Sequence, residues 1–138
     1  MVQQLCPKWS GSWDALFPFA RDCARSAPPG AVNAAVLVEA HVERSYDADG
    51  GYFRRDEVRN EIYEAAARSV NHPDFRPVYG WVYAHNLFAY VFSVMDDYRS
   101  AAQSFRAIGN RMARVVWSGY ADPVAEFRKV RDTALRKG

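Results

Sequence analysis

The stretch AHNLFAYVFSVMDDYRSAAQSFRAI, residues 84–108, decides the fold class of this 138-residue chain. Apolar side chains recur in it every three or four residues, which is the spacing of one face of an α-helix. Asp96 and Asp97 interrupt the pattern, and aspartate is a favoured N-cap. The stretch therefore predicts two helices joined by a tight turn. Ala89 and Ala101 are small enough to let these two helices approach closely.

The same helical spacing continues on both sides of this hairpin, and no alternation typical of a strand competes with it. Ser12 and Asp122 are further candidate N-caps, and Pro77 and Pro123 suit the first position of a helix. Six helices are thus predicted, at residues 13–26, 31–46, 54–70, 77–95, 98–108 and from 123 onward. Residues 111–120 fit either a short helix or an extended packing segment. We expect an all-α fold of antiparallel hairpins in one domain, residues 1–138, with residues 1–11 as an arm.

Composition places the chain among ordinary globular proteins, because 49% of it is hydrophobic and 25% is charged. The net charge of +2 is too small to indicate nucleic-acid binding by itself. The charge is unevenly placed: nine basic and three acidic residues follow from Arg99 onward, which leaves a net −4 for the rest. Cys6 and Cys23 are too few for a disulfide framework and favour a reducing, cytoplasmic setting.

Residues 78–95 lack a formal charge over 18 positions, the lower limit for a membrane span. Polar residues within this stretch, among them His85 and Asn86, favour a central buried helix instead. Residues 1–10 show no charged region followed by an apolar run, so no targeting segment is predicted. We expect no membrane contact.

A repeat of about 43 residues is indicated by matching positions. Ala40-His41 and Ala84-His85 lie 44 residues apart, each in the more buried helix of a predicted pair. Three apolar positions in the following helices match at an offset of 43: Val58, Ile62 and Ala65 with Ala101, Phe105 and Ile108. Opposite the apolar face of residues 54–70, Glu57, Glu61 and Glu64 are expected on a solvated face. The repeat predicts two helical hairpins flanked by one helix at each end.

The second hairpin contains Phe88-Ala89-x-x-Phe92 followed by Asp97-Tyr98-x-x-Ala101-x-x-x-Phe105-x-x-Ile108. With this pattern it resembles one tetratricopeptide unit. His85 stands where such a unit usually has a tryptophan, and the closing proline is absent. The repeat is therefore degenerate.

A wider resemblance covers most of the chain. It is carried by Pro7-Lys8-Trp9-x-Gly11-Ser12, Phe17-x-Phe19-Ala20-Arg21, Ala27-Pro28-Pro29-Gly30, Ala40-His41-x-Glu43, Phe53-Arg54-Arg55-x-Glu57-Val58-Arg59, His72-Pro73-x-Phe75-Arg76-Pro77 and Ala84-His85-Asn86-x-Phe88-Ala89. In this combination the chain is similar to the C-terminal half of tetratricopeptide-like, mostly actinobacterial proteins that form a domain family of unknown function. The resemblance implies an all-helical repeat fold and no established reaction. It also implies upstream helices, so we expect the end near Trp9 and Trp13 to dock against a partner or a second copy.

Candidate functional residues are few, since the sequence has no phosphate loop, nucleophile elbow, paired cysteines or HExxH motif. His41 and His85 occupy matching repeat positions, and Asn86 follows the second. Two imidazoles facing one groove could contact a ligand, or each could pack in a seam between helices and donate to a neighbour. No His-x3-His spacing is present, so we predict neither a metal site nor a cofactor. Trp81 and Tyr90 give the fourth helix an aromatic surface that suits either a binding anchor or the core.

Two main hypotheses of function follow. In the first, the protein is a non-enzymatic helical-repeat module that presents a groove to a protein or peptide partner, or to another copy of itself. In the second, it is a small enzyme or ligand-binding protein with a pocket around His41, His85 and Asn86. A nucleic-acid binder that uses the basic C-terminal third is the weakest reading. No catalytic residue is assigned; the candidate binding residues are His41, His85, Asn86, Trp81, Tyr90 and Trp13.

Overall fold

Six α-helices and no strand make up residues 12–138, the part of the chain that the computed structural model describes. The predicted all-α fold of helical hairpins is confirmed. The helices are α1 Trp13–Ser26, α2 Ala35–Ser45, α3 Asp56–Arg68, α4 Trp81–Val94, α5 Tyr98–Ile108 and α6 Pro123–Lys137. The chain divides between Arg76 and Pro77 into two compact units with three helices each. No helix within residues 12–138 has both the length and the apolar character needed to cross a membrane.

Three helix starts follow the predicted capping chemistry. Ser12 Oγ accepts from the Ala15 amide at 3.1 Å, and Asp97 Oδ1 accepts from the Ser100 amide at the same distance. At α6, Asp122 caps in the same way and Pro123 is the first helical residue. Each cap satisfies a backbone donor that has no partner within its helix.

The start of α4 differs from the prediction, which placed Pro77 at the first helical position. Gly80 is the N-cap of α4 and has a left-handed φ of 88°. The Trp81 amide donates to the Val78 carbonyl, so a turn precedes the helix. Because Gly80 has a left-handed backbone conformation, the right-handed helix begins only after it, and residues 77–80 lie outside the helix.

A short 3-10 turn replaces the predicted first turn of the second helix, and another ends at Arg54, the predicted start of the third helix. Val32–Ala34 precedes α2, and Tyr52–Arg54 precedes α3. Arg55 has extended backbone, with ψ of 133°, and separates the second of these turns from α3. A third 3-10 turn, Arg114–Trp117, resolves the ambiguity of residues 111–120 and buries Trp117 completely.

One core cluster of the first unit is rich in small side chains. Leu16, Ala20 and Ala24 of α1 pack with Ala34, Leu37 and Ala40, and half-buried Trp13, Phe17 and Val36 lie against this cluster. Gly30 donates its amide to the Arg68 carbonyl at 2.9 Å and has a φ of +81°. A Cβ at this position would lie 2.6 Å from the Asp74 carbonyl carbon, so only glycine fits.

The core of the second unit is aromatic. Ala89 and Ala101 are fully buried where α4 meets α5. Phe88 and Phe92 stack with centroids 5.8 Å apart, and Trp117 packs edge-on against Phe127 of α6. The turn after α5 thus contributes the largest fully buried side chain of the unit.

Candidate functional site

An open cleft of about 220 Å³ lies on the second unit, beside α4 and α6. We term it the tyrosine cleft. Residues at helical spacing on α4 and α6 form two of its walls, and the first residue of α5 and the segment before α6 complete it. Its lining residues are Tyr90, Ser93, Val94, Tyr98, Tyr120, Lys129, Val130 and Thr133.

The polar groups of the tyrosine cleft differ in whether they have a partner within the protein. Partial burial raises the pKa of the Tyr120 hydroxyl, and the neighbouring Tyr90 side chain opposes this rise. Tyr98 donates its hydroxyl to Asp96 at 3.2 Å. Lys129 is the single charged lining residue of this cleft and makes no ion pair with any residue in 12–138. The cleft therefore combines aromatic walls with one uncompensated positive charge.

Tyr90 is the one sequence-predicted candidate that lines this cleft. Its ring also packs edge-on against Trp117, with centroids 5.6 Å apart. Tyr98, Tyr120 and Lys129 were missed as site residues, because they come from separate elements whose meeting cannot be read from residue spacing. The basic charge of the C-terminal third was the one signal that pointed towards Lys129.

His85 and Trp81 lie elsewhere on α4. His85 is buried, and its Nδ1 lies 3.1 Å from the Ser104 hydroxyl of α5. Burial lowers the pKa of His85 to about 4, so the imidazole is neutral at pH 7. Trp81 is half-buried at the start of α4, edge-on to His85, and the Arg111 guanidinium lies 5.6 Å above its ring.

Asn86 is fully buried and forms what we term the Asn86 clamp. Its Nδ2 donates to the Val82 carbonyl at 2.8 Å and to the Arg111 carbonyl at 3.0 Å. Its Oδ1 accepts from Trp117 Nε1 at 3.0 Å. Both amide donors are used within the protein, and the bonds with Arg111 and Trp117 tie α4 to the segment that carries Trp117.

His41 belongs to the first unit and lies between two polar partners. Its Nε2 is 3.2 Å from Glu61 Oε1, and its Nδ1 is 2.6 Å from the Tyr52 hydroxyl. Because a carboxylate only accepts, Nε2 carries the proton and the Tyr52 hydroxyl donates to Nδ1. Burial lowers the pKa of His41, and the opposing attraction of Glu61 is smaller. A neutral imidazole thus bridges a hydroxyl and a carboxylate.

Glu61 is the centre of this network, and its predicted place on a solvated face is wrong. Arg21 of α1 binds it through two hydrogen bonds, Nε to Oε2 at 2.8 Å and Nη2 to Oε1 at 3.0 Å. The hydrogen bonds from Arg21 are the main cause that holds the pKa of Glu61 below its ordinary value. Helix periodicity placed Glu61 opposite the apolar face of its own helix, but it could not show that α1 and α2 supply partners there.

Trp13 packs within its own unit. Its ring contacts Phe17 at a centroid distance of 6.3 Å, and the Arg44 guanidinium lies 5.0 Å from it. The apolar stripe of α1 is therefore engaged with the core of the first unit. Trp9, Cys6 and the predicted arm at residues 1–11 lie outside the described residues.

No group of three or more His, Cys, Asp or Glu side chains between residues 12 and 138 is placed to hold a metal ion. Of the candidate residues, Tyr90 lines the tyrosine cleft, whereas His41, His85 and Asn86 are buried and hydrogen-bonded within their units. Comparison of the chain with protein-family models, with curated proteins and with solved structures finds no match.

Proposed function

We propose that this protein is a non-enzymatic binding module of the tetratricopeptide-like, helical-repeat type, and that its tyrosine cleft binds a peptide segment of a partner protein. One observation carries the proposal: three tyrosines and two valines line a cleft together with a lysine that has no ion-pair partner among residues 12–138. Tyrosine rings give a large contact area with little conformational freedom to lose, which is why tyrosine is common among binding hot spots.

The size and charge of the cleft indicate what it binds. A volume of about 220 Å³ is below the roughly 300–1,000 Å³ of small-molecule pockets, so it suits a single large side chain of a longer ligand. Lys129 favours a carboxylate next to that side chain. The net charge of +6 from Arg99 onward would steer an acidic segment to this surface. The ligand is therefore an apolar residue flanked by aspartate or glutamate.

The alternative, a pocket around His41, His85 and Asn86, has less support. An imidazole acts as an acid or base only when it can reach the proton that it moves. His41 and His85 are buried, and Asn86 uses both amide donors inside the protein.

A cytoplasmic setting stays a prediction.

The test measures binding of labelled pentapeptides by fluorescence polarisation. Each peptide carries a central leucine or phenylalanine, flanked either by acidic residues or by lysines. We expect only the acid-flanked peptides to bind. We expect Lys129→Glu to lower the affinity for these peptides at least about tenfold, or 1.4 kcal/mol. Arg128→Glu is the matched control, because it makes the same charge change one residue away and lies outside the cleft.

Two results would contradict the proposal: no peptide of the panel binds, or the two variants weaken binding equally. A second copy of the chain is the other occupant that the sequence predicted. Sedimentation would then show a dimer that Lys129→Glu dissociates, and peptides would fail to compete with it.

A further inference from the structure

A second cleft, of about 440 Å³, lies on the second unit at the N-terminal half of α6. We term it the arginine cleft. It shares no lining residue with the tyrosine cleft, and its lining residues are Asn110, Met112, Val124, Phe127, Arg128 and Arg131. Arg128 and Lys129 are consecutive on α6, so they point about 100° apart and serve different clefts.

Arg131 is held in place by hydrogen bonds, a ring contact and an ion pair. Its Nη1 donates to the side-chain oxygen of Asn110 and, at 3.4 Å, to the Gly109 carbonyl. Its guanidinium lies 5.8 Å from the centre of the Phe127 ring. Arg131 also forms an ion pair with Asp132, whose carboxylate oxygen lies 3.6 Å from Nε. Arg131 is thus restrained before any ligand arrives, which reduces the entropy cost of binding.

Arg128 is exposed and makes no hydrogen bond or ion pair with any residue from 12 to 138. Among the residues that the structure describes, no carboxylate side chain lines the arginine cleft. The polar cleft of the first unit is different, since each of its arginines has an acidic partner: Arg21 with Glu61, Arg25 with Asp22 and Arg68 with Glu64. The arginine cleft differs from that cleft, because Arg128 has no ion-pair partner within residues 12–138 and is available to an external anion.

The remaining walls of the arginine cleft favour an anion that has an apolar part. Met112, Val124 and Phe127 present hydrocarbon next to the two guanidinium groups. The volume lies within the range of about 300–1,000 Å³ typical of small-molecule pockets. A free inorganic ion would leave these apolar walls without contacts.

We propose that the arginine cleft binds a small organic phosphate monoester. The phosphate would lie against Arg128 and Arg131, and the organic group would lie against Met112 and Val124. A phosphate monoester carries a charge of about −1.5 to −2 at pH 7, which matches two guanidinium groups better than a single carboxylate does. Guanidinium also binds phosphate through two parallel hydrogen bonds. This site is independent of the peptide-binding proposal.

The experiment titrates the whole chain with phenyl phosphate and follows backbone amide signals by NMR. We expect saturable shifts at Asn110, Met112 and Phe127. Inorganic phosphate should bind more weakly because it lacks the apolar group, and benzoate should bind more weakly because it lacks the phosphate. Phenol, which has no anionic group, should not bind. Arg128→Ala should lower the affinity for phenyl phosphate about tenfold or more, whereas Lys129→Ala should leave that affinity unchanged. Both substitutions are at exposed positions, so both variants are expected to fold.

Absence of saturable shifts would overturn the proposal, as would equal weakening in the two variants. Inorganic phosphate that binds as tightly as phenyl phosphate would overturn the role of the apolar wall. Benzoate that binds more tightly would overturn the choice of phosphate. Lys129→Glu that loses peptide but keeps phenyl phosphate would establish that the two clefts act separately.

Discussion

At the scale of single residues, Gly30 shows how backbone geometry restricts the sequence. Its positive φ is strained for any residue with a side chain, and the backbone of Asp74 and Phe75 occupies the space that a Cβ would need. Backbone cannot rotate away as a flexible side chain can. The position therefore combines a conformational restriction with a steric one.

We expect Gly30→Ala to lower the free energy of unfolding by about 2–4 kcal/mol, as the sum of strain and overpacking. Chemical denaturation provides the measurement. Gly50→Ala is the control, because nothing lies within 4 Å of a Cβ at position 50. Its effect should stay within about 0.5 kcal/mol. Equal stability of the two variants would mean that the chain around Asp74 moves freely away from Gly30.

His85 provides a pH dependence at the same scale. Its pKa in the folded protein is about 4, against an ordinary value of 6.5. Below pH 6.5 the unfolded chain therefore binds a proton that the folded chain does not bind. Stability is lost as the pH falls from 6.5 to 4, by about 1.4 kcal/mol for each pH unit.

Urea unfolding at several pH values tests this assignment. We expect His85→Gln to lose less stability than the original protein between pH 7 and pH 5, because glutamine does not titrate. His41 and the carboxylates remain in both proteins, so the difference isolates His85. Parallel curves for the two proteins would show that His85 does not carry this pH dependence.

At the scale of elements, α4 and α5 pack through alanines. Ala101 is fully buried on α5, and Ala89 is fully buried on α4. A larger side chain at position 101 must push the helices apart or adopt a strained rotamer. The close approach of this hairpin therefore depends on small residues.

Ala101→Leu is expected to destabilise the protein by about 1–3 kcal/mol through overpacking. Ala107→Leu is the matched control, since Ala107 is exposed on the same helix. A thermal or chemical melt compares them. If Ala101→Leu were as stable as the original, the hairpin would have room that the alanines do not indicate.

Elements were predictable to different degrees, for physical reasons. The presence of the helices and the caps at Ser12, Asp97 and Asp122 could be predicted, because both depend on residues that are close together in the sequence. The start of α4 was wrong because Pro77 satisfies a local rule that Gly80 overrides. Of the candidate site, Tyr90 was identified, but Lys129 and Tyr120 were not. A cleft arises where elements far apart in sequence meet, and helical periodicity describes one element at a time.

At the scale of the whole molecule, the two units carry opposite net charge. Residues 1–76 sum to −2 and residues 77–138 to +4. Both proposed clefts lie on the positive unit, and both are proposed for ligands that carry negative charge. Binding at either cleft should therefore weaken as salt concentration rises, because exposed charges are screened over about 10 Å at 0.1 M.

The aromatic surroundings of Trp117 have an optical consequence. Its indole is shielded from water and donates to Asn86, while the rings of Tyr90 and Tyr120, both in the tyrosine cleft, lie 5.6 and 6.4 Å from it. A fluorophore in such an environment emits at shorter wavelength than one in water, and its intensity responds when neighbouring rings move. Trp117 is therefore a native reporter of the tyrosine cleft. In a variant with phenylalanine in place of Trp9, Trp13 and Trp81, emission from Trp117 can be followed during a titration without attaching any dye to the protein.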